Sequence, residues 1–175
     1  MVSPFVVNVA DLLRRPGNQL VVQRSVPAEG LRVVDSFVPD GTPIDADLTL
    51  ESLTDGVVVT GHVATMWESA CRRCLEVVAG PLDVAVRELY QQRPEADDAF
   101  TFRGEHLDLE PMVREAVLLE LPLAPLCRAD CAGLCPTCGV NRNDADCGHV
   151  APVGDPRWAA LDDLLEAGRL DPPVD

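Results

Sequence analysis

The sequence predicts an α+β fold: a mainly antiparallel β-sheet with one packed helix, a C-terminal cysteine-rich loop region and a short terminal helix. Three observations carry this expectation. From Pro43 to Tyr90 the chain is built of β-branched, partly alternating runs broken by short turns. One stretch, near 108–121, has the apolar spacing of an amphipathic helix. Between Leu126 and His149 the chain holds five of its seven cysteines and one of its three histidines.

The elements follow in order. "FVVNV" (5–9) reads as a first strand, and "ADLLRRPG" as a helical turn stopped by Pro16-Gly17. "QLVVQRSV" and "LRVVDSFV" are strand candidates separated by Pro27 and Gly30. "IDADLTLESL" alternates apolar and polar residues, "TDG" (54–56) is a turn signal, and "VVVTGHVATMWESA" continues as strand up to "CRRC". "LEVVAGPLDVAVRELY" contains a further strand, and "QQRPEADDAF" (91–100) is a polar, acidic loop. Asp108 is the expected N-cap of the helix, with Glu110 in its first turn and Pro122 as its stop. Leu109, Met112, Val113, Ala116, Val117 and Leu121 form the face that should pack on the sheet. "PRWAALDDLLEAG" is the terminal helix, with Gly168 as its C-cap signal. The expected organisation is a β-rich domain over 1–126, a cysteine-rich segment over 127–150 and a helix and tail over 151–175.

Composition narrows the class. At 175 residues and 47% hydrophobic, the chain can bury a real core, built from Val, Leu and Ala because aromatics are only 4%. All fourteen basic residues are arginine, a pattern expected from a high-GC bacterial genome. The formal net charge of -15 works against nucleic acid as a partner and reads as solubility or, more sharply, as complementarity to a basic partner such as a ribosomal protein; the densest basic runs are only the pairs Arg14-Arg15 and Arg72-Arg73. The start lacks a basic leader region, and no run approaches the ~18 apolar residues of a membrane span. The chain is therefore expected in the cytoplasm, away from membranes, where thiols stay reduced; an odd number of cysteines also fits a disulfide framework poorly.

The cysteines form two pieces: Cys71-x2-Cys74, and Cys127-x3-Cys131-x3-Cys135-x2-Cys138-x8-Cys147-x-His149. Seven thiols and one imidazole equal the ligand needs of two tetrahedral zinc ions. A tight C-x2-C turn places two thiolates on one ion, and "CPTCG" has the glycine such a turn favours; "CRRC" has none. A redox C-x2-C needs a thioredoxin-like βαβ setting, which is not the pattern around "CRRC"; an iron–sulfur cluster is a further alternative. The preferred pairing is local: Cys135, Cys138, Cys147 and His149 on one ion, and Cys71, Cys74, Cys127 and Cys131 on the other. The competing pairing joins both C-x2-C turns on one ion, leaving a single zinc. His62, in a strand, and His106, in a loop, read as structural or surface residues. No phosphate loop, nucleophile elbow or H-E-x-x-H is present, so no enzyme is expected.

"CRRCL" (71–75), "LELPLAPLC" (119–127) and "DCAGLCPTCGVNRN" (130–143), in this order, resemble the YceD family, the large ribosomal RNA subunit accumulation proteins. The resemblance spans nearly the whole chain. One departure is Cys147-Gly148-His149, where such families often end in C-x-C; histidine serves zinc equally well. Some members keep only the first C-x2-C, which would make the later cluster a stabilising feature. The resemblance implies a non-enzymatic role in 23S ribosomal RNA accumulation and large-subunit assembly. It also implies a partner in a large-subunit ribosomal protein or pre-ribosomal particle. The acidic charge favours a basic ribosomal protein. Direct binding to 23S rRNA through Arg72, Arg73, Arg128 and Arg142 is the alternative, and a redox- or metal-responsive enzyme or sensor is a third reading.

Overall fold

The computed structural model describes residues 3–93, 100–150 and Leu164. In chain order it contains β1 (Val6–Asn8), a single 3₁₀ turn (Leu12–Arg14), β2 (Gln19–Pro27), β3 (Arg32–Val33), β4 (Ser36–Phe37), β5 (Pro43–Ser52), β6 (Gly56–Ala70), β7 (Val77–Gln91), β8 (Phe100–Thr101), β9 (His106–Asp108) and α1 (Glu110–Glu120). This is the α+β class, mainly antiparallel sheet with one helix. The terminal helix and its cap at Gly168 lie outside the described residues, Leu164 apart, as does most of the acidic loop.

β6 is the spine of the sheet. Its 15 residues pair with β7 along their whole length, from Gly56↔Gln91 to Ala70↔Val77. Its other edge is shared: β5 takes Val57 to Ala64, and β4 meets Glu68. β2 closes the far side of β5. The alternation seen in the sequence is the alternation of the sheet's two faces. Ile44, Ala46, Leu48 and Leu50 of β5 are buried with Val57, Val59 and Val63 of β6, and Leu82, Val86 and Tyr90 of β7. Asp45 and Asp47, one residue out of phase, face solvent.

The inner face is covered by α1 and by the small β1–β9 ladder, in which Asn8 pairs with His106. Met112, Val113 and Val117 of α1 join Leu107, Leu109 and Leu121 in this core. Glycine is required at two points of β6, the first being Gly56, where a Cβ would lie 2.3 Å from the Tyr90 carbonyl oxygen. Gly61 sits at φ 149°, and a Cβ there would lie 2.0 Å from the Asp47 carbonyl oxygen.

The outer face of β2, β5, β6 and β7 is uncovered among the described residues. Asp45 and Asp83 both pair with Ala64 across the ladder, and Asp47 pairs with His62. His62 Nδ1 lies 2.9 Å from Asp83 Oδ1.

Three details differ from expectation. "LRVVDSFV" is not one strand but the short hairpin β3–β4, turned at Val34 with φ 53°. His106 lies in a strand and not in a loop. The N-cap position of α1 falls to Leu109, although Asp108 still caps: its carboxylate accepts the Glu110 N–H at 3.0 Å.

Candidate metal centre

The full-length pairing of β6 and β7 makes residues 71–76 the tip of a long hairpin. At that tip the Cys71 N–H donates to the Glu76 carbonyl at 2.8 Å, and the Leu75 N–H to the Cys71 carbonyl at 2.9 Å. The same turn recurs at the second C-x2-C. The Cys135 N–H donates to the Val140 carbonyl and the Gly139 N–H to the Cys135 carbonyl, both at 2.8 Å. Gly139 takes φ 74°, as its residue type permits; its counterpart Leu75 takes φ 63° with a full side chain, 64% exposed.

The chain leaving α1 returns to the hairpin tip. The Arg72 N–H donates to the Pro125 carbonyl at 3.0 Å, and the Cys131 N–H to the Arg128 carbonyl at 3.2 Å. Gly133, at φ 72°, lets the loop pass the hairpin: a Cβ there would stand 3.0 Å from the Arg73 carbonyl oxygen, which accepts the Leu134 N–H.

Two groups of side chains result. Cys71, Cys74, Cys127 and Cys131 form one, and Cys135, Cys138, Cys147 and His149 the other; within each, the ligand atoms lie within 4.8 Å of one another. Cys71 Sγ is 3.8 Å from Cys131 Sγ, and Cys74 Sγ is 3.6 Å from Cys127 Sγ. Sulfurs at the corners of a tetrahedron ~2.3 Å from its centre are about 3.8 Å apart, whereas a disulfide needs about 2.05 Å. All seven cysteines are free thiols. The two C-x2-C turns thus belong to different groups. In the first, Cys71, Cys74 and Cys131 are buried and Cys127 is exposed; in the second only Cys135 is buried.

The backbone prepares some thiols for the ionised form. Burial pushes Cys71 up, but the N–H groups of Cys74, Cys127 and Arg73 more than offset it and bring the thiol down to about 6. The Cys138 and Thr137 amides bring Cys135 down to about 6 against burial. The Asn143 amide is the main influence lowering Cys131. Desolvation and the neighbouring thiols push Cys127 up to about 12.

The four arginines of interest gather in this lobe with different duties. Arg73 donates to the Cys131 carbonyl at 3.0 Å, and Arg128 to Asn143 Oδ1 at 2.8 Å and to Asp130 at 3.3 Å. Arg72 and Arg142 are exposed, and their guanidinium groups have no partner among the described residues. Sequence reasoning assigned no role to Asn141, Asn143 or Glu76. Asn141 Nδ2 donates to Glu76 Oε1 at 2.8 Å, and Asn143 Nδ2 to Cys131 Sγ at 3.3 Å. The two asparagines, spaced i, i+2 just after "CPTCG", were the available signal.

A family model described as "Large ribosomal RNA subunit accumulation protein YceD" matches residues 59–165. The chain belongs to the YceD family. Every residue of both YceD cysteine groups lies inside the matched span, as does most of β6. The chain is 40% identical over 173 residues to uncharacterized protein Rv2926c of Mycobacterium tuberculosis, covering 93% of this chain and 82% of that one. It is 37% identical to uncharacterized protein ML1660 of Mycobacterium leprae, covering 94% and 79%. It is 24% identical to the "Large ribosomal RNA subunit accumulation protein YCED homolog 1, chloroplastic" of Arabidopsis thaliana, over 83% of this chain and 56% of that one. Mycobacterial relatives agree with the arginine-only composition. No solved structure matches the chain.

Proposed function

We propose that this YceD-family chain is a non-enzymatic assembly factor of the large ribosomal subunit. In this reading it supports 23S rRNA accumulation by binding a basic ribosomal protein, and two structural zinc ions hold its cysteine lobe. The ligands are Cys71, Cys74, Cys127 and Cys131 for one ion, and Cys135, Cys138, Cys147 and His149 for the other. Four protein donors per group leave no open coordination position, which is the pattern of structural zinc and not of catalytic zinc. The zinc supplies a cross-link between the hairpin tip and the chain after α1. The residues themselves do the rest: backbone amides hold thiolates, and Arg73 ties one strand of the lobe to the other.

The observation that carries the partner reading is charge on an open surface. That sheet face, uncovered among the described residues, presents Asp45, Asp47 and Asp83 around Ala64 in a chain of net charge -15. Such a face meets lysines and arginines quickly and in a salt-sensitive way, and shields them until rRNA takes them over. The competing reading, direct contact with 23S rRNA precursors, rests on Arg72 and Arg142, whose charges are free on the metal lobe. It is weakened by Arg73 and Arg128, which are spent on internal hydrogen bonds.

Affinity capture from the native lysate, with and without RNase and at two salt concentrations, separates them. Recovery of one small basic large-subunit protein, RNase-resistant and lost at high salt, is the expected result. The D45N/D47N/D83N variant should slow that association by about tenfold. Recovery of 23S rRNA, with proteins lost after RNase, would replace this reading with the second.

A further inference from the structure

The two cysteine groups are not independent in space. Residues 139–146 form a loop bracketed by Cys138 and Cys147, both ligands of the second group. Its inner side reaches the first group. Asn143 Nδ2 donates to Cys131 Sγ, while Asn143 Oδ1 accepts the Ala132 N–H and the Arg128 guanidinium, both at 2.8 Å. Asn141 Oδ1 steadies Asn143 by accepting both its backbone N–H at 3.0 Å and its side-chain amide at 2.8 Å. Asn141 also grips Glu76 on the hairpin that supplies Cys71 and Cys74.

Hydrogen bonds to a metal-bound thiolate stabilise its charge and fix its direction, and losing such a partner typically weakens metal affinity about 10–100-fold. A group can do this only if its own loop is held in place. Here the two ends of that loop are fixed by ligands of the other group, alongside its bonds to Glu76, Ala132 and Gly133.

We propose that Asn143 is a positioning residue which makes the two metal centres bind interdependently: filling the second centre orders the 139–146 loop and thereby tightens the first. The inference rests on the two-zinc reading. By linkage the first ion tightens the second by the same factor. Asymmetry of burial sets the direction in which this matters. The second centre exposes Cys138 and His149, against Cys127 alone in the first, and is the more open to a competing chelator, so metal leaving it loosens the better shielded centre.

The test is a cycle of zinc affinities for the first centre, measured on the full chain under reducing conditions by competition with a chromogenic chelator. Cobalt(II) absorption separates the all-sulfur centre from the three-sulfur, one-nitrogen centre. Removing the second centre with C147S/H149A should weaken the first about 10–100-fold. In the N143A background the same removal should change it by less than about threefold, because the link is already cut. N143D repeats the cycle if N143A fails to fold: it keeps the acceptor for Ala132 and Arg128 and loses the donor to Cys131. An equal loss in both backgrounds, or no loss in the wild type, would overturn the coupling. Native mass spectrometry showing fewer than two zinc ions per wild-type chain would instead overturn the two-centre reading.

Discussion

At the scale of single residues, Leu75 is the informative one. The two C-x2-C turns share their hydrogen bonds, yet one ends in glycine and the other in leucine at φ 63°. A left-handed conformation costs a residue with a Cβ about 1–2 kcal/mol, and glycine returns part of that gain through its freer unfolded chain. Leu75→Gly should therefore stabilise the zinc-loaded protein by about 0.5–1 kcal/mol, read as a higher denaturant midpoint at unchanged slope. A lower midpoint would mean that the exposed leucine side chain makes a stabilising contact that the turn geometry does not reveal. The eight candidate ligands were legible because C-x2-C spacing is set by the geometry of a turn around one ion. Leu75 was not: a strained backbone angle leaves no mark when the residue type is the one that should avoid it. Asn143 escaped for another reason, since a hydrogen bond between residues 12 apart has no local period.

At the scale of elements, the long strands announced themselves and the short ones did not. Alternation over ten residues of β5 is a strong signal because one whole face is buried. Two-residue β3 and β4 have no room to alternate, and the positive φ of their turn falls on Val34, beside Asp35, and not on a glycine or asparagine. β9, with three residues, is nearly as short and owes its existence to β1, a pairing across about a hundred residues that no local pattern encodes. Within β6, Gly61 is a demand of the pairing itself, not a turn signal. Its missing Cβ lets the Asp47 carbonyl approach, so Gly61→Ala must part β5 from β6 in the middle of the sheet. The expected loss is about 3 kcal/mol or more by urea denaturation. Gly17→Ala is the control: its φ, 86°, is also positive, but nothing lies within 4 Å, so the cost should stay at about 1 kcal/mol, which the backbone angle alone imposes. Equal losses for the two substitutions would refute the close-approach argument.

At the scale of the molecule, two packing units share one hairpin. The main core joins the sheet, α1 and the β1–β9 ladder and, among the described residues, draws no side chain from those after Leu121. The second cluster is small: Cys71, Cys74 and Cys131, with Val78, Leu126 and Leu134 packed against them. So little apolar surface holds 122–150 only weakly, whereas the two proposed zinc ions, each with four donors, would hold it firmly. Chelation under reducing conditions should therefore cost amide protection in 71–76 and 122–150 and leave β5, β6 and α1 protected. Acid should do the same, with a definite sign. Thiols held down at about 6, as Cys71 and Cys135 are, need no deprotonation by the metal at neutral pH. Below about 6 they bind protons, so zinc binding must release more of them, and affinity falls more steeply with each further step down in pH. Zinc loss on acidification should thus steepen below about pH 6 and track loss of protection in the lobe, ahead of any loss in the sheet. Protection lost everywhere at once would mean that the metal lobe and the sheet fold as one unit. Protection unchanged after zinc has left would mean that packing alone holds the lobe.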